Sequence, residues 1–277
     1  MVKKETTEQL LAQIRDLLLE QKPQTDSVSI DVDDALTQLG TGKLNLSLRH
    51  YYQWNDRWVK LLEERNRRAA KSTYDFIERE MPYATFLSNQ FDMLTNLAPE
   101  IAEHGGDLLD LGVYKGASTR ALAKIFPDKT IHGFDSFEGL PGDWAHVLEG
   151  AFGDISGKLP EMPGNVKLYK GWFSDTLPPW KGSEATDHIS LLRVDCDIYS
   201  STKDIFDAVG DLLRDKTIIC FDELFGYWGW EAHEYKAFME YIDATGFNYE
   251  YVSYGLTYCI VRLRTPVRDQ IVNEFFP

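Results

Sequence analysis

The chain has few cysteines and no long apolar run, and both features limit its class. Its 277 residues contain three cysteines, widely spaced and without a CxxC pair. Each lies in an apolar run, where a free thiol behaves as a small hydrophobe, so buried core thiols in a reducing compartment are predicted. No window has the ~20 apolar residues of a membrane span, and the N-terminus has no signal-peptide pattern. The expected location is the cytoplasm.

Basic residues are also scarce relative to acidic ones. The chain has 29 Lys and Arg against 44 Asp and Glu, a formal charge of −15. Nucleic acids and anionic membranes are bound largely through Lys and Arg, so neither is an expected partner. A small molecule is the expected ligand. The composition and net charge also permit a homo-oligomer.

The pattern of apolar residues changes near residue 95. Before it the pattern is helical and irregular, with a short amphipathic helix predicted over residues 10–18 and a longer one over residues 46–71. After it, short apolar runs alternate with amphipathic segments, which is typical of a doubly wound α/β sheet. We therefore predict an N-terminal helical extension, 1–95, serving as a substrate lid or oligomer contact, and an α/β domain, 96–277.

The secondary structure of the second domain can be read from its apolar runs. A pair of β-rich runs within 247–263, joined at Tyr254–Gly255, predicts a hairpin that adds an antiparallel strand to a mostly parallel sheet. The predicted strands span residues 107–112, 130–135, 166–171, 188–195 and 216–222, and the predicted helices span residues 117–126, 201–213 and 231–245.

The turn after the first strand lacks one glycine of the dinucleotide motif. The segment LLDLGVYKGAST (108–119) has G-x-x-x-G where a dinucleotide fold has G-x-G-x-x-G, and Asp110 precedes it. This turn makes a poorer phosphate cradle and adds a negative charge. Such chemistry suits a cofactor with an adenosine, no phosphate and a positive charge, as in S-adenosylmethionine (SAM). Alone, the pattern is weak, because strand–glycine–helix turns recur in many α/β proteins.

An acidic residue at the end of the second strand strengthens this interpretation. Asp135 follows Asp110 by 25 positions, close to the spacing of the acid that binds ribose hydroxyls in nucleotide folds. A turn or N-cap role is the alternative for Asp135 alone. Ligands bind at the carboxyl ends of parallel strands, and both acids lie there.

Four motifs follow one another in the second domain: DLLDLGVYKGAST, FDSFEGLP, KGWFSDTLP (170–178) and LLRVDCDIYSST (191–202). In this order they resemble the macrocin O-methyltransferase (TylF-like) family of class I SAM-dependent enzymes. The resemblance covers roughly residues 100–225 and implies a Rossmann-like class I methyltransferase fold, with 96–277 as the SAM-binding domain. It also implies methylation of hydroxyls on sugars and related natural products, as in antibiotic biosynthesis.

The resemblance implies a set of cofactor-binding residues. The glycine turn would line the methionine end, the second strand end the ribose, and Gly171 with Trp172 the adenine edge. Trp172 could instead be a core aromatic residue. The full predicted set is Asp110, Gly112, Gly116, Ser118, Asp135, Ser136, Gly171, Trp172 and Asp195.

Four further carboxylates follow two strands that are candidate neighbours. Asp195 and Asp197 end one strand, and Asp222 and Glu223 end the next. Like charges so close would raise one another's pKa values, and a hard divalent cation with oxygen ligands, commonly Mg²⁺, resolves that conflict. We predict Asp195, Asp222 and Glu223 as metal ligands. The alternative is a solvated acidic strand end. The resembled family commonly has Asp-Asp where this chain has Asp222-Glu223, a difference that bears on metal geometry.

Methyl transfer to an alcohol requires loss of the hydroxyl proton. Asp197 is the predicted general base, a role that its counterpart in the resembled family also has. His233, in an aromatic-rich loop, is the alternative base, although a helix-surface histidine is the simpler interpretation. The long, glycine-punctuated segment 142–157 is predicted to be a lid over the substrate.

The sequence thus predicts a Mg²⁺-assisted, SAM-dependent O-methyltransferase acting on a small hydroxylated acceptor, most simply a glycoside. One alternative is a metal-independent SAM methyltransferase acting on a phenol, carboxylate or amine. A second is a nucleotide-fold protein without catalysis, and the weakest is a nicotinamide oxidoreductase, because the middle glycine is missing.

Overall fold

The computed structural model describes residues 44–144, 149–155 and 157–265, with side chains described from Val59 onward. The chain divides into two compact units, Met1–Val59 and Lys60–Pro277. Of the first unit, the described part is the beginning of helix α1 (Leu44–Glu80). The predicted helix over residues 10–18 lies outside the described residues. The domain boundary predicted after residue 95 stays a prediction.

Helix α1 is longer than the sequence pattern indicates. It was expected to end at residue 71, and it continues to Glu80. The added turns bury Phe76 in the core of the second unit, where its ring lies 5.0 Å from that of Trp230. Burial of an aromatic side chain stabilises these turns in spite of their charged sequence. Met81 and Pro82 follow directly, and proline does not continue a helix.

In the described part of the chain, the strands are β1 (Thr85–Phe86), β2 (Asp107–Leu111), β3 (Ile131–Asp135), β4 (Val166–Lys170), β5 (Ile189–Val194), β6 (Leu213–Phe221), β7 (Asn248–Tyr254) and β8 (Cys259–Arg264). They form one sheet in the order β1-β7-β8-β6-β5-β2-β3-β4. Strands β6, β5, β2, β3 and β4 run parallel to one another, whereas β8 lies antiparallel between β6 and β7. This arrangement confirms the predicted fold, a mostly parallel Rossmann-like sheet with an antiparallel C-terminal strand.

Two helices of this unit have no counterpart in the predicted set. Helix α2 (Gln90–His104) contains Pro99, and helix α4 (Phe173–Ser183) contains Pro178 and Pro179. Proline lacks a backbone N–H and normally interrupts a helix, so these segments do not have a helical signature. The helices are α2 (Gln90–His104), α3 (Ala117–Ile125), α4 (Phe173–Ser183), α5 (Tyr199–Val209) and α6 (Glu234–Thr245), with single 3₁₀ turns at Gly153–Ile155, Gly210–Leu212 and Trp230–Ala232.

The core consists of two apolar clusters that involve opposite faces of the sheet. Strands β2 and β5 are buried along their whole length, as expected for central parallel strands. The three cysteines are buried free thiols, as predicted. None of the helices in the described part of the chain is long and apolar enough to cross a membrane. The carboxyl ends of β2 to β6 lie at one edge of the sheet, and the candidate site follows them.

Candidate active site

A cavity of about 550 Å³ lies at the carboxyl ends of the parallel strands. The residues immediately after β2, β4 and β5 line it, namely Gly112, Gly171 and Asp195. Asp135, the last residue of β3, and Glu223, two residues after β6, line it as well. Its volume falls within the ~300–1,000 Å³ of small-ligand sites, and ligands of open α/β sheets bind at this edge.

The glycine turn after β2 forms one wall of this cavity. Gly112 has φ +106°, and a Cβ there would lie 1.7 Å from the carbonyl oxygen of Asp195. Gly116 has φ +78° and precedes α3, and a Cβ there would lie 1.9 Å from Cε of Met162. Gly112 therefore requires glycine for both conformation and space, whereas Gly116 is favoured by its positive φ alone, because the end of the Met162 side chain can move. Gly112 lines the cavity, whereas Gly116 packs against Met162.

Asp135 joins the turns that follow β2 and β3. Its Oδ2 accepts hydrogen bonds from the backbone N–H groups of Val113 (2.8 Å) and Tyr114 (2.7 Å). Its Oδ1 accepts one from the N–H of Phe137 (2.6 Å). Oδ2 thus has two donors and Oδ1 has one, so Oδ1 can still accept a hydrogen bond from a ligand. Asp135 and the adjacent Ser136 both line the cavity. The contact of Asp135 with the ribose, and that of Ser136 with the cofactor, stay predictions.

The predicted adenine residues also line the cavity. Trp172 lines it with 38% of its surface exposed, directly before α4 begins at Phe173. Gly171 has φ +144°, and a Cβ there would lie 2.9 Å from Cγ2 of Thr176. An exposed aromatic ring at the wall of a cavity is available to stack on a base.

Asp110, predicted to contact the cofactor, is fully buried and is not among the described residues that line the cavity. Its carboxylate accepts hydrogen bonds from the Thr119 hydroxyl (2.6 Å) and from Nη1 of Arg193 (3.0 Å). Burial raises the pKa of Asp110, opposed by Arg193 and Thr119. Gly116 and Ser118 are likewise not among the lining residues of the described chain. Cofactor contacts at these three positions stay predictions.

Three of the four carboxylates after β5 and β6 lie together at the cavity. Ligand oxygens of Asp195, Asp197 and Glu223 all lie within 4.8 Å of one another, and these residues line the cavity. Asp222 is not among the described lining residues; it accepts hydrogen bonds from Nε2 of Gln90 and from Arg193, which also pairs with Asp195. The structure therefore brings together two of the three predicted metal ligands, with Asp197 as the third acid. A ligand role for Asp222 stays a prediction.

Burial and mutual repulsion perturb this cluster, which we call the acidic triad (Asp195, Asp197 and Glu223). Burial raises the pKa of Asp195 to about 7, against the lowering effect of Arg193. Burial also raises the pKa of Asp197 to about 6. Burial together with the neighbouring carboxylates raises the pKa of Glu223 to about 12. Such shifts are typical of groups at functional sites.

The acidic triad fits a hard divalent cation. Its ligand atoms are carboxylate oxygens, the kind that Mg²⁺ and Ca²⁺ prefer. Among the described residues, the buried Oε2 of Glu223 has no hydrogen-bond partner. A cation would satisfy this oxygen and offset the cost of burying neighbouring carboxylates in their charged form.

The described part of the predicted lid, 142–157, does lie at the cavity. Trp144 and Phe152 line it, and the Tyr114 hydroxyl donates to Asp154 (2.6 Å), which fixes this segment to the glycine turn. Residues 145–148 and 156 lie outside the described residues. His233, the alternative base, is not among the described lining residues. Its pKa is lowered by burial, and its ring lies 5.9 Å from that of Tyr227.

Two charged residues of this region were not singled out from the sequence. Arg193 is 1% exposed and forms ion pairs with Asp110, Asp195 and Asp222. Glu234, at the start of α6, is fully buried. The sequence does contain a sign of the role of Arg193, because a lone arginine inside an apolar strand requires acidic partners. Glu234 has no such signal, since acidic residues are common in the first turn of a helix.

Comparison with known proteins supports a methyltransferase domain. Residues 109–224 match the model of a family described as "Methyltransferase domain". No curated protein matches the chain. The match confirms the predicted enzyme class, a methyltransferase. The matched residues include both glycines of the glycine turn and all three members of the acidic triad. Membership of the narrower macrocin-type family stays a prediction.

Solved structures of O-methyltransferases have weak similarity to the chain. NovP is 20% identical, with 64% of this chain and 79% of that chain covered and a TM-score of 0.48. CalS11, a calicheamicin methyltransferase, is 19% identical, with 61% and 77% covered and a TM-score of 0.49. TomG from Streptomyces achromogenes, solved with SAM, is 14% identical, with 73% and 90% covered and a TM-score of 0.41. At these values the similarities carry no functional conclusion.

Proposed function

We propose that the chain is a SAM-dependent O-methyltransferase that uses Mg²⁺ and methylates a hydroxyl of a sugar or other small natural product. One observation carries the proposal: the glycine turn and the acidic triad form walls of the same cavity. Gly112 is so close to the Asp195 carbonyl that a Cβ would collide with it. A methyl donor on the turn and a hydroxyl at the acids would therefore be neighbours, which is the geometry that methyl transfer requires.

The residues of the chain have distinct roles in this proposal. Gly112, Asp135 and Trp172 would hold the cofactor, and the acidic triad would hold the cation. When bound, SAM supplies an electrophilic methyl group, and the cation lowers the pKa of a bound hydroxyl as a Lewis acid. Asp197 would accept the hydroxyl proton while the oxygen–methyl bond forms and the methyl–sulfur bond of SAM breaks, which leaves S-adenosylhomocysteine.

The charges of the cavity support a neutral or cationic acceptor. The charged residues among its described lining are all acidic: Asp135, Asp195, Asp197, Asp204 and Glu223. A phosphate or carboxylate on the acceptor would be repelled, whereas a vicinal diol can replace water at a cation. A glycoside with adjacent hydroxyls satisfies these conditions.

The test combines binding and transfer. Calorimetry with SAM should show binding in the absence of acceptor, and no binding at millimolar concentration would refute the proposal. A panel of neutral glycosides, amino sugars and phenols, incubated with SAM and Mg²⁺, should yield S-adenosylhomocysteine and a methyl ether detected by mass spectrometry. Activity that persists in EDTA would instead favour the metal-independent enzyme. Asp197→Asn is the matched control, expected to bind SAM and lose about 10²–10⁴-fold in turnover.

A further inference from the structure

Glu234 is a completely buried carboxyl group that the proposed chemistry does not use. It is the first residue of α6 and has no exposed surface, and it is not among the described residues lining the cavity. Its Oε1 lies 3.3 Å from the backbone nitrogen of Asp197 and 3.4 Å from that of Cys196, and accepts from both N–H groups. Within the described chain, Oε2 has no hydrogen-bond partner.

The two N–H groups belong to the turn that carries the proposed base. Asp197 has φ +66°, a left-handed conformation that is uncommon outside glycine, although aspartate adopts it more readily than most residues. The N–H of Ile198 donates to the carbonyl oxygen of Cys196 (2.7 Å), so the turn is tight. In this conformation the Asp197 side chain lines the cavity and belongs to the acidic triad. An unfavourable conformation of this kind persists only where surrounding groups hold it.

Glu234 is attached to a rigid element. Two residues of the next turn of α6, Ala237 and Phe238, are fully buried, and the Phe238 ring packs 5.2 Å from that of Phe221 in β6. A carboxyl group is costly to bury unless it is hydrogen-bonded, and the hydrogen bonds of Glu234 go to the two N–H groups of the turn. Glu234 thus connects the turn to a helix that is fixed in the core.

We propose that Glu234 is a positioning residue for Asp197. By accepting the N–H groups of Cys196 and Asp197, it holds the turn in the left-handed conformation that places the Asp197 carboxylate in the cavity. The functional consequence rests on the proposed role of Asp197, whereas the conformational consequence does not.

The first test is structural and uses two variants of the full chain. Glu234→Gln keeps a side-chain oxygen and its volume, so a crystal structure should show Asp197 still at positive φ. Glu234→Met has a similar length but no comparable acceptor, so Asp197 should leave the left-handed region. Calorimetry with Mn²⁺ alone should show binding about 10–100-fold weaker for Glu234→Met, with Glu234→Gln close to the parent. Unchanged φ and Mn²⁺ affinity in Glu234→Met would refute the proposal.

The second test is a double-mutant cycle. If Glu234 acts through the Asp197 carboxylate, Glu234→Met should have no further effect on Mn²⁺ affinity or methyl transfer in an Asp197→Asn background. A further loss in that background would show that Glu234 acts independently, and the proposal would be wrong. SAM affinity should be unchanged in all four proteins.

A failure of the apolar Glu234 variants to fold would also test the proposal. Glu234→Leu is a second apolar variant, and if neither it nor Glu234→Met folds, Glu234 supports the whole fold and the proposal is wrong. A parent protein that binds no SAM would refute the proposed function, yet the structural comparison of Asp197 φ would remain valid.

Discussion

Nη1 of Arg193 lies 3.0 Å from Oδ1 of Asp110, and both side chains are almost completely removed from solvent. The same nitrogen lies 2.9 Å from Oδ2 of Asp195, and Nη2 binds Asp222. The Arg193 guanidinium thus links β2 to the residues that follow β5 and β6. Burial opposes its charge, but the three acids outweigh that effect and raise the pKa of Arg193 far above its ordinary value.

Removing the Arg193 guanidinium should lower the free energy of unfolding substantially. Arg193→Met would leave three buried or partly buried carboxylates without compensation, and such a loss costs about 3–5 kcal/mol. The free energy of unfolding, measured by urea denaturation, should fall by this amount. Arg68→Met is the matched control, because Arg68 pairs with Glu64 on an exposed helix face and such pairs contribute about 1 kcal/mol or less. Equal losses for both variants would contradict the central role of Arg193.

The glycine turn should not tolerate a methyl group. Gly112→Ala would force an L-residue into φ +106° and a Cβ into the Asp195 carbonyl. The conformational cost alone is about 1–3 kcal/mol, and displacement of the turn should abolish SAM binding measured by calorimetry. Gly182→Ala is the control, since a Cβ there meets no atom within 4 Å and its φ is not positive. Full SAM affinity in Gly112→Ala would show that the turn does not hold the cofactor.

Trp172 should contribute to cofactor affinity by stacking. Trp172→Ala is expected to weaken binding of S-adenosylhomocysteine by about 1–3 kcal/mol, the range for base–aromatic stacking. Trp228 is also exposed, at 47%, but is not among the described lining residues, so Trp228→Ala should bind as the parent does. Equal affinity for all three proteins would place the adenine elsewhere.

Asp195 should make stability depend on pH. Its pKa is raised from 3.8 to about 7, so between about pH 4 and 7 the folded chain binds a proton that the unfolded chain has lost. The contribution of Asp195 to the free energy of unfolding therefore falls as pH rises through this window. Without divalent cations, the free energy of unfolding of Asp195→Asn, relative to that of the parent, should increase from pH 4 to pH 8 by about 1 kcal/mol or more. A difference that does not change with pH would contradict the raised pKa, and Asp207→Asn, exposed on α5, serves as control.

A divalent cation should stabilise the folded chain. Near pH 8, Mg²⁺ at about 100 times its dissociation constant adds about 2.7 kcal/mol, which scanning calorimetry would detect as a higher melting temperature. Glu223→Gln should reduce this gain, because it removes one of the three carboxylates. Glu231→Gln, outside the acidic triad, should keep it. A melting temperature that does not respond to Mg²⁺ in the parent would count against the metal site.

Much of the fold could be predicted because the sequence signals are local. Strands β2, β3 and β4 begin and end within one residue of their predicted bounds, since apolar runs there end at glycine or aspartate. Strand β6 begins three residues earlier than predicted, at Leu213, which lies beyond a polar stretch. Helices α2 and α4 were missed because of internal prolines, whose cost is offset by buried side chains such as Leu97 and Trp180.

The order of residues along the chain is enough to show which carboxylates follow the strands and that a glycine turn faces them, because parallel strands bring their carboxyl ends to one edge. The role of each acid depends on contacts made in the folded chain. Glu223 lines the cavity, whereas its neighbour Asp222 binds Arg193. Asp110 binds the same guanidinium because Asp110 and Arg193 are paired across β2 and β5. The partner of a side chain depends on elements that are distant in sequence, and that information exists only once the strands have paired.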